Sequence, residues 1–188
     1  MVRLLFFSGS SRVGSVNARL ARAAADLTRR TFGASVTMID LADFHLPDYA
    51  GYKGRPDDLP GDVVRLRALL ADTDGLFLSS DEYTGAYSTL FRNAVGWLMD
   101  ERGGAQPLLR GKPVALCGAS IGGAGALRGQ PALKQFLQVV GMSVISQQLH
   151  LGTSRTPFDA QGSLLPKAET QLINGCLGAL LAAATSSK

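Results

Sequence analysis

Gly9 to Asn17 reads GSSRVGSVN, three serines, an arginine and two glycines packed into nine residues. That composition can hold an anion. Serine hydroxyls donate hydrogen bonds, and an arginine presents a fixed fork of N–H groups that suits phosphate oxygens. Leu4, Leu5, Phe6 and Phe7 precede the stretch as a short buried-strand signal, and Val16, Leu20, Ala24, Leu27 and Thr31 follow it at helical spacing. The stretch is therefore a strand-to-helix loop. The first N–H groups of such a helix lack partners within it and its dipole favours negative charge. Gly9 and Gly14 let the backbone turn closely around a ligand.

Two familiar glycine loops fit badly. The GxxxxG spacing of a triphosphate loop is met by Gly9 and Gly14, but Ser15 and Val16 stand where a lysine and a magnesium-binding hydroxyl are needed. A dinucleotide fingerprint needs GxGxxG and an acid ending the second strand, and only the acid, Asp40, is present. A hydroxyl-rich loop with one arginine suits a single phosphate monoester. The plain alternative is a Ser/Gly turn with Ser15 capping the helix.

Other reactive groups are sparse. Cys117 and Cys176 lie in the apolar settings VALCG and INGCLGALL, without CxxC spacing, and read as buried thiols. With only His45 and His150, no histidine-rich metal cluster can be built. The chain carries a net charge of +4, but Arg3, Arg12, Arg19, Arg22, Arg29 and Arg30 are spread around a helix without interleaved aromatics. No nucleic-acid partner is expected; the arginines either steer an anionic ligand or form a solvated face. A chain of 188 residues, 46% hydrophobic and 18% charged, is expected to be one soluble domain. No apolar run is long enough to span a bilayer, and MVRLLFF is too short for a signal peptide, so no membrane partner and a cytoplasmic location are expected.

The elements that must position the loop alternate regularly. ASVTMID reads as the second strand, and Asp62 as the cap of a helix with Val63, Leu66, Leu69 and Leu70 on one face. GLFLSS is the third strand, followed by DEYTGAY and a helix capped by Ser88 with Phe91, Val95 and Leu98 inward. PVALCGAS is a continuous apolar strand of the kind buried on both faces. A glycine-rich turn, a helix around Leu133 to Val140, a fifth strand MSVISQQL and a closing helix begun by Pro166 complete the pattern. Five β/α units imply an α/β fold, a doubly wound parallel sheet covered on both faces. Its ligand belongs at the carboxyl ends of the strands, where the loops at 9–17, 81–87 and 118–125 meet.

Three motifs carry a family resemblance. GSSRVGSVNARLA places Ser10, Arg12, Ser15 and Asn17 as in the phosphate loop of the NADPH-dependent FMN reductase family, flavodoxin-like enzymes that include azo, quinone and chromate reductases. SSDEYTGAYSTLFRNAVGWL resembles that family's second flavin loop, usually PEYNGS, with Asp81 replacing proline and Thr84 replacing asparagine. KPVALCGASIGGAGALRGQ is similar to its strand and glycine loop at the flavin edge. The similarity runs from Met1 to about Gln148.

The resemblance implies a flavodoxin-like five-stranded sheet of order 2-1-3-4-5 in three α/β/α layers. It implies FMN as cofactor and NADPH or NADH as cosubstrate, with electrons passing on to a quinone, azo compound, metal oxyanion or flavin. The cofactor-binding positions it implies are Ser10, Arg12, Ser15, Val16, Asn17, Asp81, Glu82, Tyr83, Thr84, Ser120, Gly122 and Gly123. Asn17 is expected to brace the loop. Tyr83 either contacts the ring or holds the loop, and Asp81 lowers the flavin potential if it points inward. No residue is assigned an acid or base role, since a flavin carries the hard chemistry. The main alternative is a flavodoxin-like FMN electron carrier without nicotinamide turnover. A homodimer or homotetramer is implied, with Trp97, Leu98 and Met99 serving either that contact or the protomer core.

Overall fold

Alternating strand residues build two separate cores. The computed structural model describes residues 1–55, 58–100, 108–120, 127–152 and 157–186. Strands β1 (Arg3–Ser8), β2 (Ser35–Asp40), β3 (Gly75–Ser79) and β4 (Pro113–Ser120) lie parallel in the order β2-β1-β3-β4. Register pairs Leu4 with Val36 and Gly75, and Phe77 with Ala115. Leu4, Phe6, Phe77, Ala115 and Cys117 face one side, where Phe6 stacks on Phe77 at 4.8 Å. Leu5, Phe7, Leu76, Leu78, Val114 and Leu116 face the other. Because successive strand side chains point to opposite faces, near-continuous apolar strands must be covered twice.

Helix α1 (Val16–Phe32) lies over the first side through Leu20, Ala24 and Leu27. The C-terminal helices α5 (Pro166–Leu172) and α6 (Gly178–Ser186) pack beside it. On the opposite side lie α2 (Gly61–Ala71), α3 (Thr89–Leu98) and α4 (Gly129–Val139) with Leu66, Phe91, Val95, Leu133 and Leu137. The result is the three-layer flavodoxin-like α/β fold expected from the sequence.

Four local expectations need correction. The fifth strand is two pieces, β5 (Ser143–Val144) and β6 (Leu149–Gly152), both pairing with β4. Val144 pairs with Val114 and Leu149 with Cys117, so the register offset grows from 30 to 32 across polar Ser146–Gln148. Two extra residues loop out of this edge. Asp62 is not the cap of α2, which begins after Pro60; its carboxylate accepts the His45 N–H at 2.8 Å and pairs with Arg65 at 3.3 Å. The closing helix is interrupted at Ile173–Leu177 by one wider turn, in which Gly178 N–H reaches Ile173 O. On α1 the buried threonine is Thr28, whose hydroxyl bonds the Ala24 carbonyl, and Thr31 is exposed.

Trp97 is fully buried, Leu98 is 9% exposed and Met99 is 38% exposed. The Trp97 indole donates to Pro47 O at 2.8 Å and meets Tyr49 and Tyr52 edge-on. Trp97 and Leu98 therefore belong to the protomer core. Both cysteines are buried free thiols, with burial pushing Cys117 upward and Cys176 up to about 12.

Candidate functional site

Loop 9–17 is held from below by its own serines. Gly9 N–H bonds Ser79 O at 3.0 Å, and the Ser88 hydroxyl donates to Gly9 O while accepting Phe91 N–H at 3.2 Å. One residue thus caps α3 and ties the loop to it. Ser10 is buried, and its Oγ accepts Arg12 N–H at 3.4 Å. Ser15 caps α1, its Oγ accepting Asn17 N–H at 3.2 Å and Ala18 N–H at 3.3 Å. Gly14 takes φ +71°, a left-handed turn that an L side chain disfavours.

Asn17 reaches across to the sheet. Its Oδ1 accepts Ala119 N–H at 2.8 Å and the Ser79 hydroxyl at 3.0 Å, and its Nδ2 donates to Ala119 O at 2.9 Å. The amide pairs with β4 as a further strand residue does, just beyond the end of β3. With Ser10, Ser15 and Asn17 turned inward, Ser11, Arg12, Val13 and Gly14 form the exposed crest of the loop. Among the described residues, the N–H groups of Ser11, Val13, Gly14 and Val16 take no partner. The Val16 side chain packs on the core, so only its backbone faces the crest. Open N–H groups at a helix start, beside one arginine, make an anion cradle.

The second loop is held by a different set of contacts. Tyr83 N–H donates to Ala86 O at 2.7 Å and Ala86 N–H to Tyr83 O at 2.9 Å, closing a two-residue turn. Thr84 has φ +50° and Gly85 φ +80°, the turn that Asn-Gly adopts most readily. A β-branched Thr84 is strained there. Glu82 points away from the turn: its Oε2 accepts the Arg128 and Gly129 N–H groups at the start of α4, both at 3.2 Å, and Oε1 meets Arg128 Nε at 3.0 Å. A negative charge is favoured at that helix end. At Gly129 an added Cβ would lie 3.2 Å from Glu82 Cγ and Ala86 O, so the loop rests directly on the helix.

Between the two loops and α4 lies a cleft of about 790 Å³, lined by Ser11, Arg12, Asp81, Tyr83, Thr84, Tyr87 and Arg92 among others. It sits beyond the carboxyl ends of β1 and β3, where the strand order reverses. Arg12 lies over the Tyr83 ring at 4.9 Å, and half-exposed Tyr83 forms the cleft rim. Asp81 is 9% exposed, and its Oδ1 is buried without a partner among the described residues. The opposite wall is apolar: Tyr87 stacks on Phe136 at 4.9 Å and 17°, beside Ala132 and Val139.

Of the residues expected at the site, Arg12, Asp81, Tyr83 and Thr84 line the cleft, while Ser10, Ser15, Asn17 and Glu82 support it from behind. Ser120 ends β4 outside that lining, and Gly122 and Gly123 lie outside the described residues. The α4 wall was not anticipated. Ala132, Gln135, Phe136 and Val139 follow i, i+3, i+4, i+7 spacing, a pattern that also describes a core-facing helix.

A parallel doubly wound sheet with an anion cradle at its switch point and an adjoining aromatic cleft defines a flavodoxin-like mononucleotide protein. The family model for NADPH-dependent FMN reductase matches residues 2–156, and the chain belongs to that family. It is 31% identical to an NAD(P)H-dependent FMN reductase of Pseudomonas aeruginosa over 95% of this chain and 93% of that protein. It is 27% identical to a 2-hydroxy-1,4-benzoquinone reductase of a Burkholderia species, over 84% of this chain and 82% of that one. The solved structure of FerB, an NAD(P)H:(acceptor) oxidoreductase from Paracoccus denitrificans, superposes with a TM-score of 0.81 at 25% identity, covering 100% and 97% of the two chains. The family makes the protein an oxidoreductase with FMN as cofactor and NAD(P)H as reductant. The site fits that cofactor: the cradle offers donors to a phosphate, and the orphaned Asp81 oxygen awaits a donor.

Proposed function

We propose that the protein uses NAD(P)H and FMN to reduce a small, flat aromatic acceptor of the quinone type. The observation that carries this reading is the wall facing the phosphate cradle, where the parallel Tyr87–Phe136 pair and Val139 offer an apolar surface to a planar ring. Relatives with quinone in their names, from Burkholderia and Escherichia coli, support the same class of acceptor.

FMN supplies hydride acceptance and donation when bound. In this reading the Ser11–Val16 N–H groups and Arg12 hold its phosphate, with Ser10, Ser15 and Asn17 fixing the loop that presents them. Asp81, Tyr83 and Thr84 border its ring, and Ser120, Gly122 and Gly123 its far edge. Glu82 fixes the second loop to α4. The proton that completes a hydroquinone enters from solvent through the open cleft. Assembly as a homodimer or homotetramer and a cytoplasmic location belong to the same reading on family likeness. No helix among the described residues is long and apolar enough to cross a membrane.

The test is steady-state NADPH and NADH oxidation by the FMN-loaded protein with benzoquinone, an azo dye and chromate compared. The expected result is turnover that needs both substrates and is fastest with the quinone. FMN-loaded protein that consumes no nicotinamide with any acceptor is instead an electron carrier; preference for chromate overturns the assignment of the acceptor.

A further inference from the structure

Asp81 stands in the second loop where the FMN reductase pattern usually has proline. It lines the cleft with Arg12 and Tyr83, yet the residue is only 9% exposed. Its Oδ1 is buried with no hydrogen-bond partner among the described residues. Its backbone carbonyl is fixed by the Ser80 hydroxyl at 3.0 Å, and the loop beyond it by the Glu82 contacts with α4. The backbone on either side of the carboxylate is therefore held, and the side chain it carries is nearly buried at the cleft edge. Buried polar atoms are nearly always satisfied in native proteins, so an orphan at the edge of a ligand cleft points to a partner that the ligand brings. A carboxylate only accepts hydrogen bonds, and that partner must be a donor. The FMN ring N–H and ribityl hydroxyls are donors of this kind.

We propose that Asp81 is the residue that sets the redox poise of this site, its carboxylate opposing the negative charge that bound FMN gains on reduction. The inference rests on the reading of the cleft as an FMN site. Hydride transfer moves two electrons and one proton from the reduced nicotinamide, which leaves as its oxidised, more positive form. The flavin side gains one negative charge. A fixed carboxylate bordering the ring disfavours that product and leaves the donor form more strongly reducing toward the acceptor. Among the described residues, two cations line the same cleft. Arg12 lies beside the phosphate cradle, where a phosphate neutralises it, and Arg92 is exposed, where water and salt screen it. Neither cancels a nearly buried carboxylate.

The test is the midpoint potential of the FMN-loaded protein by dye equilibration, with separate affinities for oxidised and reduced FMN. Asp81→Asn keeps the shape and an acceptor oxygen but removes the charge. Oxidised FMN is expected to bind it within about twofold of wild type and reduced FMN about tenfold tighter, the order expected for a unit charge a few ångströms away. For a two-electron couple, tenfold is about 30 mV, so the potential rises by about that amount. Asp81→Glu, which keeps the charge, is expected to stay near wild type. Asp81→Pro is expected to shift like Asp81→Asn and serves if the asparagine variant folds poorly. FMN-loaded wild type and Asp81→Asn with equal potentials overturn the role of Asp81 alone. A wild-type protein that takes up no FMN overturns the cofactor reading beneath it as well.

Discussion

Replacing Asn17 with alanine is expected to damage both stability and cofactor binding, because one amide holds together three segments. It joins the start of α1 to the ends of β3 and β4 through bonds of 2.8, 2.9 and 3.0 Å, and it is 1% exposed. Alanine removes all three bonds and leaves the Ala119 N–H, the Ala119 carbonyl and the Ser79 hydroxyl without this partner. At about 1 kcal/mol per bond, with a further desolvation cost for groups left buried, the loss is about 3–4 kcal/mol. For a domain of this size that corresponds to a fall in Tm of roughly 6–16 °C. Asn17→Asp is expected to do no better, since it keeps the acceptor but sets a carboxylate oxygen against Ala119 O. Urea unfolding measures the first effect; FMN titration at a temperature where both variants are folded measures the second, with an expected weakening of at least about tenfold, equivalent to 1.4 kcal/mol. A loss of stability under about 1 kcal/mol, the net worth of a single bond, refutes the bracing role.

Arg12→Ala is expected to weaken FMN binding by about 2 kcal/mol, the scale of a hydrogen bond to a charged group, and an unchanged titration shows that Arg12 stays on Tyr83. Thr84→Asn relieves a β-branched residue at φ +50° and is expected to raise unfolding stability by about 1 kcal/mol, with a lower Tm counting against strain at this turn. Glu82→Gln loses the Arg128 ion pair and the charged cap of α4, and calorimetry is expected to show a cost of about 1 kcal/mol. Burial holds the Cys176 thiol up to about 12 against a free value of 9.0, so the unfolded chain releases this proton first as pH rises. Stability is therefore full below pH 9.0 and falls toward about 12, at about 1.4 kcal/mol per pH unit for this thiol. Urea unfolding from pH 8 upward is expected to show a shallower decline for Cys176→Ala, and parallel slopes contradict the burial argument.

Local chemistry made much of the fold legible. Ser15 and Ser88 stand just ahead of amphipathic runs and do cap α1 and α3. The apolar β1, β3 and β4 sequences required two covering layers and have them. What the sequence hid depends on contacts distant along the chain. Asp62 looked like a cap, but the His45 N–H and Arg65 draw its carboxylate, and α2 starts two residues earlier than that cap requires, at Gly61. MSVISQQL looked like one strand, yet its pairing with the longer β4 forces two extra residues out at the polar middle.

The site was legible to a similar depth. The reading of loop 9–17 as an anion cradle came from its residue types and its place between a strand and a helix pattern, whereas the division of its serines between inward braces and an exposed crest needed backbone geometry. Glu82 matched a flavin-loop pattern, but the open N–H groups of α4 hold its side chain. Phe136 and Val139 carried no distinguishing signal, because a helix face lining a cleft has the periodicity of one lining a core.

The most direct test of the account is a titration of the purified protein with FMN, followed by anaerobic addition of NADPH. One FMN is expected to bind per chain, with the flavin spectrum perturbed, bleached by NADPH and restored by benzoquinone. A protein that stays colourless and leaves added FMN unperturbed contradicts the assignment of loop 9–17 and the cleft beside it as a flavin site.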